Sequence, residues 1–181
     1  GGQYKREKNL GITIPQEITS QNNAKDKADL IFNFVKNNYN WNQNYGYSTE
    51  NGIRNTIKNK TGNVADINLL LVSLLRSQGL KAYPIILSTV DNGKFNTTFP
   101  NVGNFNYVIA AAEVGNQIYI YDATSKQSKE GVLPYRVWND NALLLRDDST
   151  NLIELSNNKM SVSRNTIKAK INADGTVVGE Y

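Results

Sequence analysis

The sequence predicts an α+β fold, on three observations. Apolar residues recur at helical spacing in the first half of the chain. A second helix there is apolar nearly all round, and the second half carries short alternating segments separated by turn residues. Helices first and an antiparallel sheet after them is the α+β order. With 181 residues, 39% of them hydrophobic, the chain can fill one sizeable core.

Residues 1–20 lack periodicity, carry Gly11 and Pro15, and read as an extended lead-in. Asn23 and Asp26 form a capping pair. Ala28, Ile31, Phe32, Val35 and Tyr39 then mark one helical face up to about residue 39. The stretch NNYNWNQNYGYSTENG, rich in amides and aromatics, reads as a loop, and Ile53 to Lys60 as a short helix. A helix begins at Val64, capped by Asn63, and its Ile67, Leu69, Leu70, Leu71, Val72, Leu74 and Leu75 predict burial on most sides. Gly79 suits its C′ position. Its first turn should offer open space beside unpaired N–H groups.

LKAYPIILSTV predicts a strand closed by Asp91-Asn92-Gly93. Phe105–Glu113 and Gln117–Asp122 predict a hairpin turning at Gly115-Asn116, and Ala142–Leu145 a further strand. A two-residue turn sets Val114 opposite Gln117 and Ile109 opposite Asp122, so Tyr107 and Asp122 become diagonal neighbours. Ile109, Ala111, Ile118 and Ile120 then form the expected core face. Alternation at Ile167, Ala169 and Ile171, with a turn at Asp174-Gly175, predicts a last hairpin.

Composition narrows the chemistry. The chain has no cysteine and no histidine, which excludes thiol catalysis, Ser-His-Asp triads and Cys/His metal sites. No cofactor or metal is expected. The net charge of +4 is scattered rather than gathered into a stripe, which argues against nucleic-acid binding. The apolar run from Ile67 to Leu75 is interrupted by Asn68 and Ser73 and is too short to span a bilayer. Gly1-Gly2 reads as an expression scar, which leaves room for a removed leader.

KNKTGNVADINLLLVSLLRSQGLKAYPIILST resembles the nucleophile segment of bacterial transglutaminase-like domains, where Gly-x-Cys-x-Asp opens a Leu-rich helix that is followed by Ala-Tyr-Pro. FNYVIAAAEVGNQIYIYDAT resembles the family's Phe-Asn-His-Val-Ile and Asp-x-Thr half. LIFNFVKNNYNW and GVLPYRVWNDNALLL are similar to flanking segments, so the resemblance covers about residues 20–146. It implies a papain-like core over 21–148. NTIKAKINADGTVVGEY resembles the opening of a following β-rich domain, so 149–181 is expected to be part of one. The native polypeptide is then expected to extend beyond both ends.

The resemblance also implies a Cys-His-Asp triad. Position by position the Cys falls on Val64, the His on Tyr107 and the Asp on Asp122, so only the acid remains. The expected function is a catalytically inactive binding or scaffolding module of a larger bacterial protein, extracytoplasmic by family analogy. A peptide or glycan would lie in the vestigial cleft against Trp41, Tyr45, Tyr107 and Asp122. The alternative is an enzyme of changed chemistry that uses the carboxylates Asp66 and Asp122. Thr61 and Ser73 are the hydroxyls nearest the nucleophile position, and Asp66 is otherwise a capping carboxylate.

Overall fold

The computed structural model describes residues 10–98, 101–155 and 168–180. The lead-in contains one helical turn, α1 (Gln16–Thr19), after Pro15, whose fixed φ suits a helix start. Helix α2 (Ala24–Asn38) starts where the Asn23 side chain accepts hydrogen bonds from the N–H groups of Lys25 and Asp26. Its Ala28, Ile31, Phe32 and Val35 are buried, at the spacing the sequence shows. The amide-rich loop contains a two-residue strand, β1 (Asn40–Trp41). After α3 (Ile53–Asn59) the chain pairs back on β1 in parallel through β2 (Thr61–Gly62).

Helix α4 (Val64–Ser77) is the centre of the molecule. Eleven of its side chains are buried, and Gly79 follows its cap with φ of 80°. It lies across β3 (Lys81–Leu87) and β4 (Tyr107–Val114). The five-stranded antiparallel sheet continues with β5 (Gln117–Tyr121), β6 (Asp140–Leu145) and β7 (Thr150–Leu155), in the order β5-β4-β3-β6-β7. Strand β7, which the sequence reading did not mark, is short and half polar, and it closes one edge by pairing with β6.

The predicted register holds, with Val114 opposite Gln117 and Ala111 opposite Ile120. The expected core face needs correction. Strand β4 is buried on both faces from Tyr107 to Ala112. Ala110 and Ala112 pack in one apolar cluster with α1, α2, α4 and Tyr121. Ile109 and Ala111 sit in a second cluster with Ile85, Leu144 and Val137. Ile118 is 40% exposed, because β5 is an edge strand and Ile118 lies near the hairpin tip.

Strands β8 (Lys168–Ile171) and β9 (Val177–Glu180) form a separate hairpin around Gly175, with Ile171, Val177 and Val178 exposed. Ile167, which the alternation included, lies outside the described residues. Among the described residues no helix is long and apolar enough to cross a membrane.

Candidate active site

Two local devices put the sequence-predicted positions in place. The first is the start of α4, where a capping box joins Asn63 and Asp66. The Asp66 N–H donates to Asn63 Oδ1 at 2.8 Å, and the Asn63 N–H donates to Asp66 Oδ2 at 3.1 Å. The second is the β4–β5 hairpin, whose register brings residue 107 beside residue 122.

The space expected beside the first turn of α4 is closed. Val64 has no exposed surface, and its N–H donates to the Asn44 carbonyl at 3.2 Å. The same carbonyl accepts from Trp41 Nε1 at 2.9 Å, so the 42–50 loop is pinned over the helix start. An aliphatic side chain supplies no lone pair for acyl transfer. Thr61 is exposed on β2, whereas Ser73 is buried within α4. Nine residues separate Ser73 from Val64, which is roughly 13 Å along the helix axis.

Tyr107 and Asp122 are both fully buried and hydrogen-bonded, the phenol donating to Oδ2 at 2.9 Å. Asp122 Oδ1 accepts from Asn68 Nδ2 at 3.1 Å, from the Thr124 N–H at 3.0 Å and from Thr124 Oγ1 at 2.7 Å. The carboxylate therefore holds the local Thr124 turn and the Tyr107 contact at once. Asn68 also donates to the Val108 carbonyl and accepts from the Ala123 N–H, tying α4 to β4 and to the turn after β5. Such complete pairing is what a buried carboxylate requires.

A residue that sequence reasoning missed completes the network. Arg136 Nε donates to the Tyr107 hydroxyl at 2.8 Å, and Nη2 donates to Thr124 Oγ1 at 2.8 Å. Nη2 lies 3.8 Å from Asp122 Oδ2, and the guanidinium carbon sits 4.7 Å from the centre of the Trp41 ring. The available signal was a lone cation in the otherwise apolar segment Leu133–Trp138. Arg136 is positioned by a 3₁₀ turn, Tyr135–Val137, set up by Pro134.

Burial, and then the neighbouring Asp122 charge, raise the Tyr107 pKa well above its ordinary value. Arg136 and Thr124 oppose that shift only in part. The phenol is thus a hydrogen-bond donor at neutral pH and no substitute for a histidine base.

The aromatic residues form a stack over this network. Tyr45 lies 5.6 Å from Trp41 and 5.7 Å from Tyr107 between ring centres. Tyr45 is 46% exposed and Trp41 half-buried, while Tyr107 and Asp122 reach no solvent. Val64 and Tyr107 both lie in one buried apolar cluster and neither reaches solvent. Asp66 is likewise buried, with Oδ2 committed to the cap and Oδ1 without a hydrogen-bond partner.

A family profile described as the Transglutaminase-like superfamily matches residues 12–129. Among solved structures, a "putative protease" from Parabacteroides distasonis ATCC 8503 superposes with a TM-score of 0.55 at 14% identity. That match covers 87% of this chain and 31% of the other. A "putative cysteine protease" from Cytophaga hutchinsonii gives 0.47 at 15% identity, covering 83% and 52%. The chain thus spans about a third and about half of these two proteins, and at 14% identity the first likeness concerns the fold alone. No curated protein matches the sequence. With its helix-on-antiparallel-sheet core of papain-like fold, the chain belongs to the transglutaminase-like superfamily.

Proposed function

We propose that this chain is a catalytically silent transglutaminase-like domain, serving as a binding or scaffolding module of a larger secreted bacterial protein. Members of the superfamily are usually enzymes, so the proposal rests on what occupies the reactive positions. One observation carries it: Val64, where the family motif places its nucleophile, is fully buried and its N–H is already bonded to Asn44. The closed Tyr107–Asp122–Thr124–Arg136 network supports the same reading, because no group in it is left to take a proton from a nucleophile.

The role within a larger protein fits a chain that spans only 31% of its Parabacteroides neighbour. On this reading residues 149–181 lead into a following β-rich domain, which would cover Ile171, Val177 and Val178. Extracytoplasmic placement belongs to the same proposal by family analogy.

The rival is a hydrolase that uses Asp66 and Asp122. Neither residue has exposed surface, and Asp122 accepts four hydrogen bonds within the protein, which favours the silent module. The test is incubation with amide, ester and glycoside substrates, with no turnover above the buffer rate expected. Turnover that disappears in a folded Asp122→Asn variant would overturn the proposal.

A further inference from the structure

Val64 is fully buried, but an open depression of about 490 Å³ lies beside the start of α4, on the 42–50 loop. Gln43, Asn44, Tyr45, Ser48, Glu50 and Asn63 line it. This volume falls within the range of small-molecule sites, roughly 300–1,000 Å³. The composition of its wall is informative. Apart from the Tyr45 ring the lining is amide, hydroxyl and carboxylate. It holds no cation and no aliphatic side chain, so an anion finds no counterpart there and the apolar surface it offers is the flat Tyr45 ring.

The wall is also pre-formed. Trp41 Nε1 and the Val64 N–H both bond to the Asn44 carbonyl, and Asn42 Oδ1 accepts from the Asn44 N–H. Gln43 holds a left-handed conformation with φ of 72°. Asn63 Nδ2 donates to the Ser48 carbonyl, fastening the loop to the cap of α4. Glu50 is exposed. Its Oε2 accepts two long bonds of 3.3 Å, from Asn42 and Asn44, which leaves acceptor capacity for hydroxyl groups. The Tyr45 ring is anchored against Trp41 and Tyr107 yet remains 46% exposed.

An aromatic ring beside amides and one carboxylate, with Tyr45, Asn44, Asn63 and Glu50 already stacked or hydrogen-bonded, suits a ring that is apolar on its faces and hydroxylated at its edges. We propose that this depression binds a neutral oligosaccharide; the proposal rests on the reading of the chain as a binding module and places the ligand away from the buried Val64 and Tyr107. Rigid walls reduce the ordering cost of binding.

The test titrates the full chain with chitotriose, cellotriose and maltotriose, with trigalacturonate as the anionic arm, followed by intrinsic tryptophan fluorescence and backbone amide shifts. At least one neutral trisaccharide is expected to give saturable shifts centred on residues 43–50 and Asn63. Its affinity should fall by about tenfold or more in Tyr45→Ala and in Glu50→Gln. The second change is isosteric and exposed, so it tests the site without disturbing packing. No saturable response to any neutral trisaccharide up to about 10 mM would overturn the site. So would preferential binding of trigalacturonate, or full affinity in Glu50→Gln. None of these results touches the turnover assay on which catalytic silence depends, so the two proposals fail separately.

Discussion

Replacing Tyr107 with Phe removes one hydroxyl and keeps the ring, so the packing against Tyr45 at 5.7 Å should remain. Two hydrogen bonds involving charged groups are lost, one to Asp122 and one from Arg136. Each contributes about 1.5–3 kcal/mol. The Arg136 side chain is 21% exposed, and water there restores part of its loss, so the expected cost is about 2–4 kcal/mol. For a chain of this size that lowers Tm by about 4–16 °C, measurable by calorimetry.

The pH dependence checks the same hydroxyl independently. Burial and then Asp122 raise the Tyr107 pKa in the native state above the unfolded value of about 10. The folded protein therefore holds this proton where the unfolded chain releases it. The associated stability is complete below pH ~10 and declines as pH rises toward the native value. Tyr121 is shifted in the same direction, by burial first and then by its hydrogen bond to Asp29, so the decline comes from two groups. Tyr107→Phe removes one of them, and its stability loss above pH ~10 should be shallower by about 1 kcal/mol per pH unit. A Tm within about 2 °C of the parent, with an unchanged alkaline slope, would refute the reasoning.

Two further outcomes follow from the start of α4. A Cβ at Gly62 would lie 2.5 Å from Asp66 Cβ and 3.0 Å from Thr56 Oγ1. Gly62→Ala should therefore destabilise by about 1–3 kcal/mol, read as a lower urea midpoint; an unchanged midpoint would show that the cap yields freely. If Val64 and Tyr107 occupy the family's nucleophile and base positions, Val64→Cys with Tyr107→His should have a lower thiol pKa than Val64→Cys alone. Alkylation rates against pH measure this, the single variant accounts for burial, and equal values would count against the alignment.

The helices could be read from the sequence because their signals are local. Asn23 and Asn63 announce the starts of α2 and α4, and the Leu-rich run announces a helix buried on most sides. The hairpin register was readable for the same reason, since a two-residue turn leaves little freedom, and it brought Tyr107 to Asp122. What escaped were partners set by long-range packing. Asn68 looked like a mere break in an apolar run, yet it bridges α4 to Asp122 across 54 residues. Arg136 reaches Tyr107 from 29 residues away, and nothing near it in the chain signals that destination. The second buried face of β4 and the edge strand β7 depend on strand order, which periodicity does not encode. The expectation of open space at Val64 failed because periodicity describes a helix and not the loop folded over its end.

The Asn44 carbonyl has one more consequence. A backbone N–H at the mouth of such a helix would be available to polarise an incoming acyl oxygen, and here the chain offers that N–H its own amide oxygen instead. The loop behaves as a permanent intramolecular competitor for any visiting carbonyl. If Val64 and Tyr107 hold the family's nucleophile and base positions, a thiol and an imidazole placed there would still meet a Val64 N–H already bonded to the Asn44 carbonyl.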